Sequence, residues 1–439
     1  MRASRDIRNP KPGGKCEIIR PKPVARRLGA GVAALAILAS GQGRGQEALL
    51  TSRADQAAAE ARRYNVENQP YTVKVEEFRM LAATSLELDW NDNINVAQRG
   101  AESDFILRPS GQVTASYPVT QNSLLSLNVQ AGYTKYLEHD TYSFWFVGSG
   151  SGLALDLDVG QFTFDVHERL LYIQDAATLG AVAGTGLYGY LDNVAGVLAT
   201  WDLNDVMPSL GYDHENYIAY PSGFNFGTRS TENFYARTSF RVHPRVTVGV
   251  EGAVGLTTYQ ERLLNNNTDL SAGLFGDWRA NAALRVTARA GYVVYIFEQI
   301  PGQIRVSDEN AGYGDVTASD QVTDKLTASL SVGHQLLLGY QGNSTDTWYV
   351  HPGASWRVLH DVTLRATPFY EQGTQGLLSL AGNFQENYEW YGVDMGLTYT
   401  PRRNLTVTAD YRVTLRSSDL ALRSYTQDQI GIMLTYTFQ

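Results

Sequence analysis

From 245 to 261 the chain alternates strictly. One parity reads Val246, Val248, Val250, Gly252, Val254 and Leu256, and the other Thr247, Gly249, Glu251, Ala253, Gly255 and Thr257. Period two over so many residues predicts a long β-strand with one apolar face. The pattern returns at Leu284, Val286, Ala288, Ala290, Tyr292, Val294 and Ile296 against Arg285, Thr287, Arg289 and Gly291. It returns again at Leu405, Val407, Ala409, Tyr411, Val413 and Leu415 against Thr406, Thr408, Asp410, Arg412, Thr414 and Arg416. The final stretch sets Ile430, Ile432, Leu434, Tyr436 and Phe438 against Gln429, Gly431, Thr435 and Thr437.

These strands are about 11–17 residues long. Soluble sandwiches use strands of about 5–6 residues with turns every 8–12, whereas a tilted membrane-spanning strand takes about 9–11 plus extensions beyond the lipid. Arg or Lys facing lipid at midplane would cost about 2–4 kcal/mol. The charges fall almost wholly on the polar parity, so that parity faces a lumen. Short turns are predicted at 118–122, 159–161, 204–207, 243–244, 280–282, around Gln335, and at 360–361 and 401–403. Longer segments lie at 91–101, 138–148, 174–189, 218–229, 262–267, 298–322, 374–385 and 418–423, with 342–345 as one further, tight connection. The fold class is therefore all-β, a transmembrane antiparallel up-and-down β-barrel of about 18 strands, with 16 as the alternative count. Tyr117, Trp201, Trp278, Trp356, Tyr399, Tyr436 and Phe438 sit beside the short turns, where an interfacial aromatic girdle belongs.

The N-terminus changes the compartment. Basic residues ending in Arg26 and Arg27 precede an apolar run at 28–40, followed by small and polar residues. That is the layout of a secretory signal peptide. The run is too short for a spanning helix, which needs about 20 residues, and no later run reaches 18 apolar residues. The expected organisation is a signal peptide at 1–45, a periplasmic segment at 46–77 and the barrel at 78–439. Residues 46–64 are Ala-rich and helix-prone. Of the 36 basic and 45 acidic residues, 10 and 2 lie in 1–45, so the remainder carries a net charge of -17. Such a surface does not suit nucleic acid. The one cysteine is Cys16, so the processed chain has no thiol for zinc, iron–sulfur or nucleophile chemistry.

The stretch FRMLAATSLELDWNDNINV (78–96) and hairpins such as TYTPRRNLTVTADYRV (398–413) resemble the beta-barrel porin 2 family. The resemblance covers roughly 70–439. It implies a bacterial outer-membrane barrel, often linked with exopolysaccharide systems. One departure is the end of the chain, where Gln439 follows Phe438 although such barrels usually finish on an aromatic residue.

Little in the chain looks catalytic. The seven histidines are scattered and form no HExxH. His167 beside Asp165 is the nearest candidate, and alternate strand residues share a face in any barrel. Gly184, Gly186 and Gly189 satisfy GxGxxG formally, but a dinucleotide site needs a strand before them and a helix after. Asp89, Asn91, Asn93 and Asn95 supply calcium-type oxygens, yet Ile94 stands where a calcium loop needs Gly and Gly100 where it needs Glu. No cofactor and no metal is expected.

The lumenal parity instead carries Arg108, Arg237, Arg241, Glu251, Arg285, Arg289, Arg365, Asp394, Asp410, Arg412 and Arg416, with Asp156, Asp158 and Asp165. Charges of both signs on a barrel wall set up a transverse field that orients polar solutes. The opposing reading is an ion-pair network that seals the interior. Glu298, Asp308, Glu309, Asp315 and Asp320 make the segment 298–322 the candidate constriction loop. The function expected is a porin-like channel for polar solutes in the outer membrane of a Gram-negative bacterium, without covalent catalysis. The alternatives are exopolysaccharide export, which rests on the resemblance, a rim enzyme, and a closed anchor or adhesin. The partners expected are outer-membrane lipids and lipopolysaccharide, the barrel-assembly machinery, and a polar solute or polysaccharide.

Overall fold

A computed structural model describes residues 71–120, 123–302, 305–377 and 384–438. The expected signal peptide, Cys16 and the helix-prone 46–64 lie outside the described residues. The strands in chain order are β1 (Val73–Val75), β2 (Phe78–Asn91), β3 (Asp104–Thr120), β4 (Ser123–Tyr136), β5 (Phe144–Val147), β6 (Gly152–Val159) and β7 (Phe162–Ile173). They continue as β8 (Gly189–Trp201), β9 (Val206–Tyr220), β10 (Arg229–His243), β11 (Val246–Tyr259), β12 (Asn267–Arg279), β13 (Leu284–Phe297) and β14 (Glu309–Thr323). The last six are β15 (Leu326–Leu338), β16 (Ser344–Arg357), β17 (Val362–Leu377), β18 (Phe384–Arg402), β19 (Leu405–Ser418) and β20 (Tyr425–Phe438).

Each wall strand pairs antiparallel with the next, and β20 returns to β2 in a register running from Ala82↔Phe438 to Asn91↔Gln429. The sheet is closed. β5 and β6 both pair with β4, at 131–134 and 124–128, so they are two halves of one strand interrupted at 148–151. β1 is only a three-residue hairpin partner of β2. The wall thus has 18 strands among the described residues, with short connections on one rim and longer ones on the other.

Alternation decides which way each residue faces. In β11, Val248, Val250, Val254 and Leu256 are exposed on the outside while Glu251, Thr257 and Tyr259 are buried within. A belt of exposed Leu, Val and Phe around the whole barrel would be unsustainable in water, because a soluble monomer rarely shows an apolar patch of more than a few hundred Å². All seven predicted girdle aromatics are exposed near the short-turn rim. Val250 lies 48 % exposed on the belt, so Val250→Arg should cost about 2–4 kcal/mol at midplane, whereas inward Thr247→Arg should be tolerated. Urea unfolding in lipid vesicles measures both, and equal tolerance would argue against a lipid-facing belt.

One stretch of the expected topology needs correction. The turn placed around Gln335 is not there, since Gln335 pairs with Thr347 inside β15 and β16. The turn falls at 324–325 instead. The segment expected as a loop at 298–322 is a loop only over 298–308, and β14 follows it. The cause is the composition of β14, whose outward side includes Asn310, Gly312, Gly314 and Ala318, so Val316 alone marks the apolar face at mid-strand.

Candidate functional site

The inward wall is laced with ion pairs between neighbouring strands. Arg365 on β17 bridges Asp394 on β18 at 3.0 Å and Asp410 on β19 at 3.3 Å. Arg289 meets Asp315 at 3.4 Å, Arg285 meets Asp277 at 3.0 Å, and Arg108 pairs with Asp89 and reaches Glu87 at 3.6 Å. Arg237 stacks on Phe275 with its guanidinium carbon 3.7 Å from the ring centroid. Glu251 accepts a long bond from Tyr313, at 3.5 Å. Arg241 lies exposed near the turn after β10.

Several of these groups still meet solvent: Arg365 is 39 % exposed, Asp410 30 % and Arg285 55 %. Pairs so exposed contribute only about 0–1 kcal/mol each. They also show that the interior at their level is wet. The small residues at 249 and 255 do not by themselves open space, however. A Cβ at Gly249 would collide with the Phe275 ring, and one at Gly255 with the Asp269 carboxylate, so neighbouring side chains lie flat across the wall there.

The loop that packs inward among the described residues is the one between β7 and β8. Residues 174–188, between β7 and β8, turn inward after a 3₁₀ turn at Ala176–Thr178. Leu179, Ala181, Val182 and Ala183 are buried against Tyr190, Tyr217, Tyr388, Trp390 and Tyr425. The loop carbonyls are gripped from far around the ring. Arg416 Nε donates to Gly180 O at 2.7 Å, Gln375 Nε2 to Ala181 O at 2.7 Å, and an Arg423 terminal nitrogen to the same oxygen at 3.0 Å. Gly184 N donates to Val96 O at 3.0 Å. At the loop base, burial pushes the Tyr188 hydroxyl above its usual range, so it stays protonated and shares a 2.7 Å bond with Tyr217.

The grip depends on Glu386. This fully buried carboxylate meets the equally buried Arg416 at 2.8 Å and accepts from Arg423 Nε at 2.8 Å, Ser418 Oγ at 2.6 Å and Gln375 Nε2 at 2.7 Å. Arg416, expected on the pore wall, is therefore part of the bracket that holds the loop. The five acidic residues expected at a constriction are placed on the 298–308 loop and on β14. Glu298 accepts from Asn266 Nδ2 at 3.1 Å, which ties its loop to the one between β11 and β12, and Asp308 accepts from Phe297 N at 3.1 Å, which braces its own loop. Glu309, Asp315 and Asp320 belong to β14.

The other motifs resolve into structure. His167 lies between Asp165 at 2.7 Å and Asp213 at 3.1 Å, all three buried, so both ring nitrogens are engaged and neither is left to move a substrate proton. Asp213, 46 residues away, becomes a partner only through strand pairing. Gly184 has a φ of +75° and a Cβ at Gly186 would strike Ile94 O, so these glycines seat the loop against 92–96, and a strand rather than a helix follows. Asn93 Nδ2 donates to Ala97 O and Thr426 O, Asn91 Oδ1 accepts from Asn93 N, and Asp89 holds Arg108. Asn93 Oδ1 accepts from Ala97 N at 2.9 Å and Asn95 Oδ1 from Glu102 N at 3.2 Å, so the asparagine oxygens hold the loop at 92–103 while Asp89 serves the wall.

No protein-family model and no characterised sequence matches the chain. Among solved structures, it is similar to OccAB3 of Acinetobacter baumannii at 10% identity and TM-score 0.46, covering 82% of this chain and 99% of that one. Pseudomonas aeruginosa OccK2 (OpdF), solved in complex with glucuronate, is similar at 12% identity and TM-score 0.48, covering 82% and 98%. A BenF-like porin from Pseudomonas fluorescens Pf-5 is similar at 13% identity and TM-score 0.45, again covering 82% and 98%.

Proposed function

We propose that the protein is a passive channel for small polar solutes in the outer membrane of a Gram-negative bacterium, narrowed at its loop rim by residues 174–188. The observation that carries this reading is the inner wall. Arg285, Arg365, Asp394 and Asp410 sit on a closed barrel with an apolar exterior, yet remain water-exposed inside. A network built to seal the interior would have buried them, as Glu386 and Arg416 are buried at the loop. An 18-strand wall is wide enough for an aqueous channel. The remaining candidates, Arg108, Arg237, Arg241, Glu251, Arg289 and Arg412, would line the same passage. Placement in the beta-barrel porin 2 family, with exopolysaccharide export as its implied cargo, rests on the 78–96 and 398–413 segments alone. Export of a polymer would need the loop at 174–188 to leave its aromatic bed. Purified protein in planar bilayers should give stepwise conductance with a definite reversal potential under a salt gradient. A barrel that is folded by heat-modifiability yet silent would overturn the channel and favour a closed anchor.

A further inference from the structure

We propose that the short-turn rim carries a docking surface for anionic phospholipid headgroups, confined to the part of the ring from β10 to β19. Five consecutive short turns there bear exposed cations: Arg245, Arg279, Lys325, Arg357, and the pair Arg402 and Arg403. Against them stand Asp320, Asp324 and Asp361, the last of these 3.2 Å from His360, while Asp277 is held by Arg285. The short turns of the remaining wall are opposite in sign. Asp158 borders the β6–β7 turn, Asp202 and Asp205 lie in the β8–β9 turn, and no Lys or Arg accompanies them. The whole chain has a formal net charge of -9, so the basic arc runs against its composition rather than following from it.

These cations are not spent on the wall. Among the described residues Arg279, Lys325, Arg357 and Arg402 make no ion pair and no side-chain hydrogen bond, and Arg245 gives one long bond, at 3.4 Å, to Ala280 O. Their depth follows from the girdle. Trp278 precedes Arg279 and Trp356 precedes Arg357, both rings exposed on the lipid-facing side, and Tyr399 stands just before the Arg402 turn. Amphipathic rings of this kind sit at headgroup level, so the next residue toward the periplasm stands at the phosphates. Successive short turns are two strands apart, about 10 Å along the rim, which is roughly one Debye length at 0.1 M salt. Their fields therefore overlap into one surface, and each guanidinium can take a phosphate bidentately. Cations set beside membrane-embedded rings meet lipid phosphates before any soluble polyanion. The lumen plays no part in this contact, so it holds whether or not the barrel conducts.

The probe is brominated phosphatidylglycerol in phosphatidylcholine vesicles, since bromine quenches tryptophan fluorescence on contact. The girdle carries its own control, because Trp201 borders the acidic β8–β9 turn. Comparing the intact barrel with Trp278→Phe, Trp356→Phe and Trp201→Phe isolates the quenching at each ring. Phosphatidylglycerol should be preferred over phosphatidylcholine about fivefold at Trp278 and Trp356 in about 0.05 M salt, and not at Trp201. Salt at about 1 M should bring that preference near one. Combining Arg245→Gln, Arg279→Gln, Lys325→Gln, Arg357→Gln, Arg402→Gln and Arg403→Gln should do the same at low salt. Heat-modifiability shows whether that variant is folded, and if it is not, Arg279→Gln with Arg357→Gln serves and should at least halve the preference. Equal preference at Trp201 and Trp278, no preference at any ring, or a preference that survives the substitutions would overturn the surface. Binding of soluble polyglutamate to the barrel in neutral vesicles, without a phosphatidylglycerol preference, would overturn it in favour of an acidic periplasmic protein. A silent barrel that keeps the preference would overturn the channel and leave the surface standing.

Discussion

Glu386→Ala should cost about 3–5 kcal/mol, the largest single loss expected from any wall carboxylate, because it strands two buried cations. Arg416 is fully buried and Arg423 largely so, and both meet this one carboxylate at 2.8 Å. Their remaining bonds go to uncharged oxygens: Gly180 O and Arg423 O from Arg416, and Ala181 O and Gln341 Oε1 from Arg423. Carbonyls are partial charges and do not neutralise a guanidinium. Without Glu386 the two cations repel each other in a region that excludes water, and the cheapest relief is to swing toward solvent, letting go of the loop as they leave. The variant should therefore both unfold at lower urea and show noisier, larger conductance. Arg285→Ala is the comparison, since its pair with Asp277 is more than half exposed on the Arg side and should contribute less than about 1 kcal/mol. Urea midpoints for the two variants that agree within error would sink this account of the bracket.

The architecture was legible because period two is a backbone property. Which parity is apolar follows from Val246 to Leu256, or from Ile430 to Phe438, without knowing any neighbour. That signal failed where β14 offers Gly and Ala on its outer face, and where Leu336, Leu337 and Leu338 are apolar on both faces because the end of β15 is buried among Tyr295, Phe297 and Tyr313. Inward facing was equally legible for the charged residues, but pairing was not. That Arg365 takes both Asp394 and Asp410, leaving Arg412 alone, depends on side-chain reach across three strands. Charge is a poor guide to a loop that must leave water. Residues 176–183 contain no charge at all, only Ala, Thr, Leu, Gly and Val. An outer loop is ordinarily polar and surface-bound, so this apolar composition was the available signal.

Replacing 176–183 by two glycines should raise single-channel conductance about threefold or more, since an 18-strand wall on its own encloses a broad aqueous lumen. The loop runs from β7 to side chains on β17 and β19, eight and six strands away by the shorter route around the 18-strand ring, so the segment removed reaches across the interior. Val182 at its tip is fully buried, and burying a Val side chain is worth about 1.5–3 kcal/mol. Val182→Asp therefore gives an independent handle. A carboxylate in a bed of Tyr388, Trp390 and Tyr425 is desolvated, and the two cations that grip the loop, Arg416 and Arg423, already hold Glu386. Its desolvation should expel the loop and approach the deletion in conductance while leaving the wall intact. The bracket residues would then face water, so the deletion should cost less stability than Glu386→Ala, where the cations stay buried alongside the loop. If both variants keep the conductance of the intact protein with the barrel folded, the narrowest point lies instead at the level of Arg365, Asp394 and Asp410.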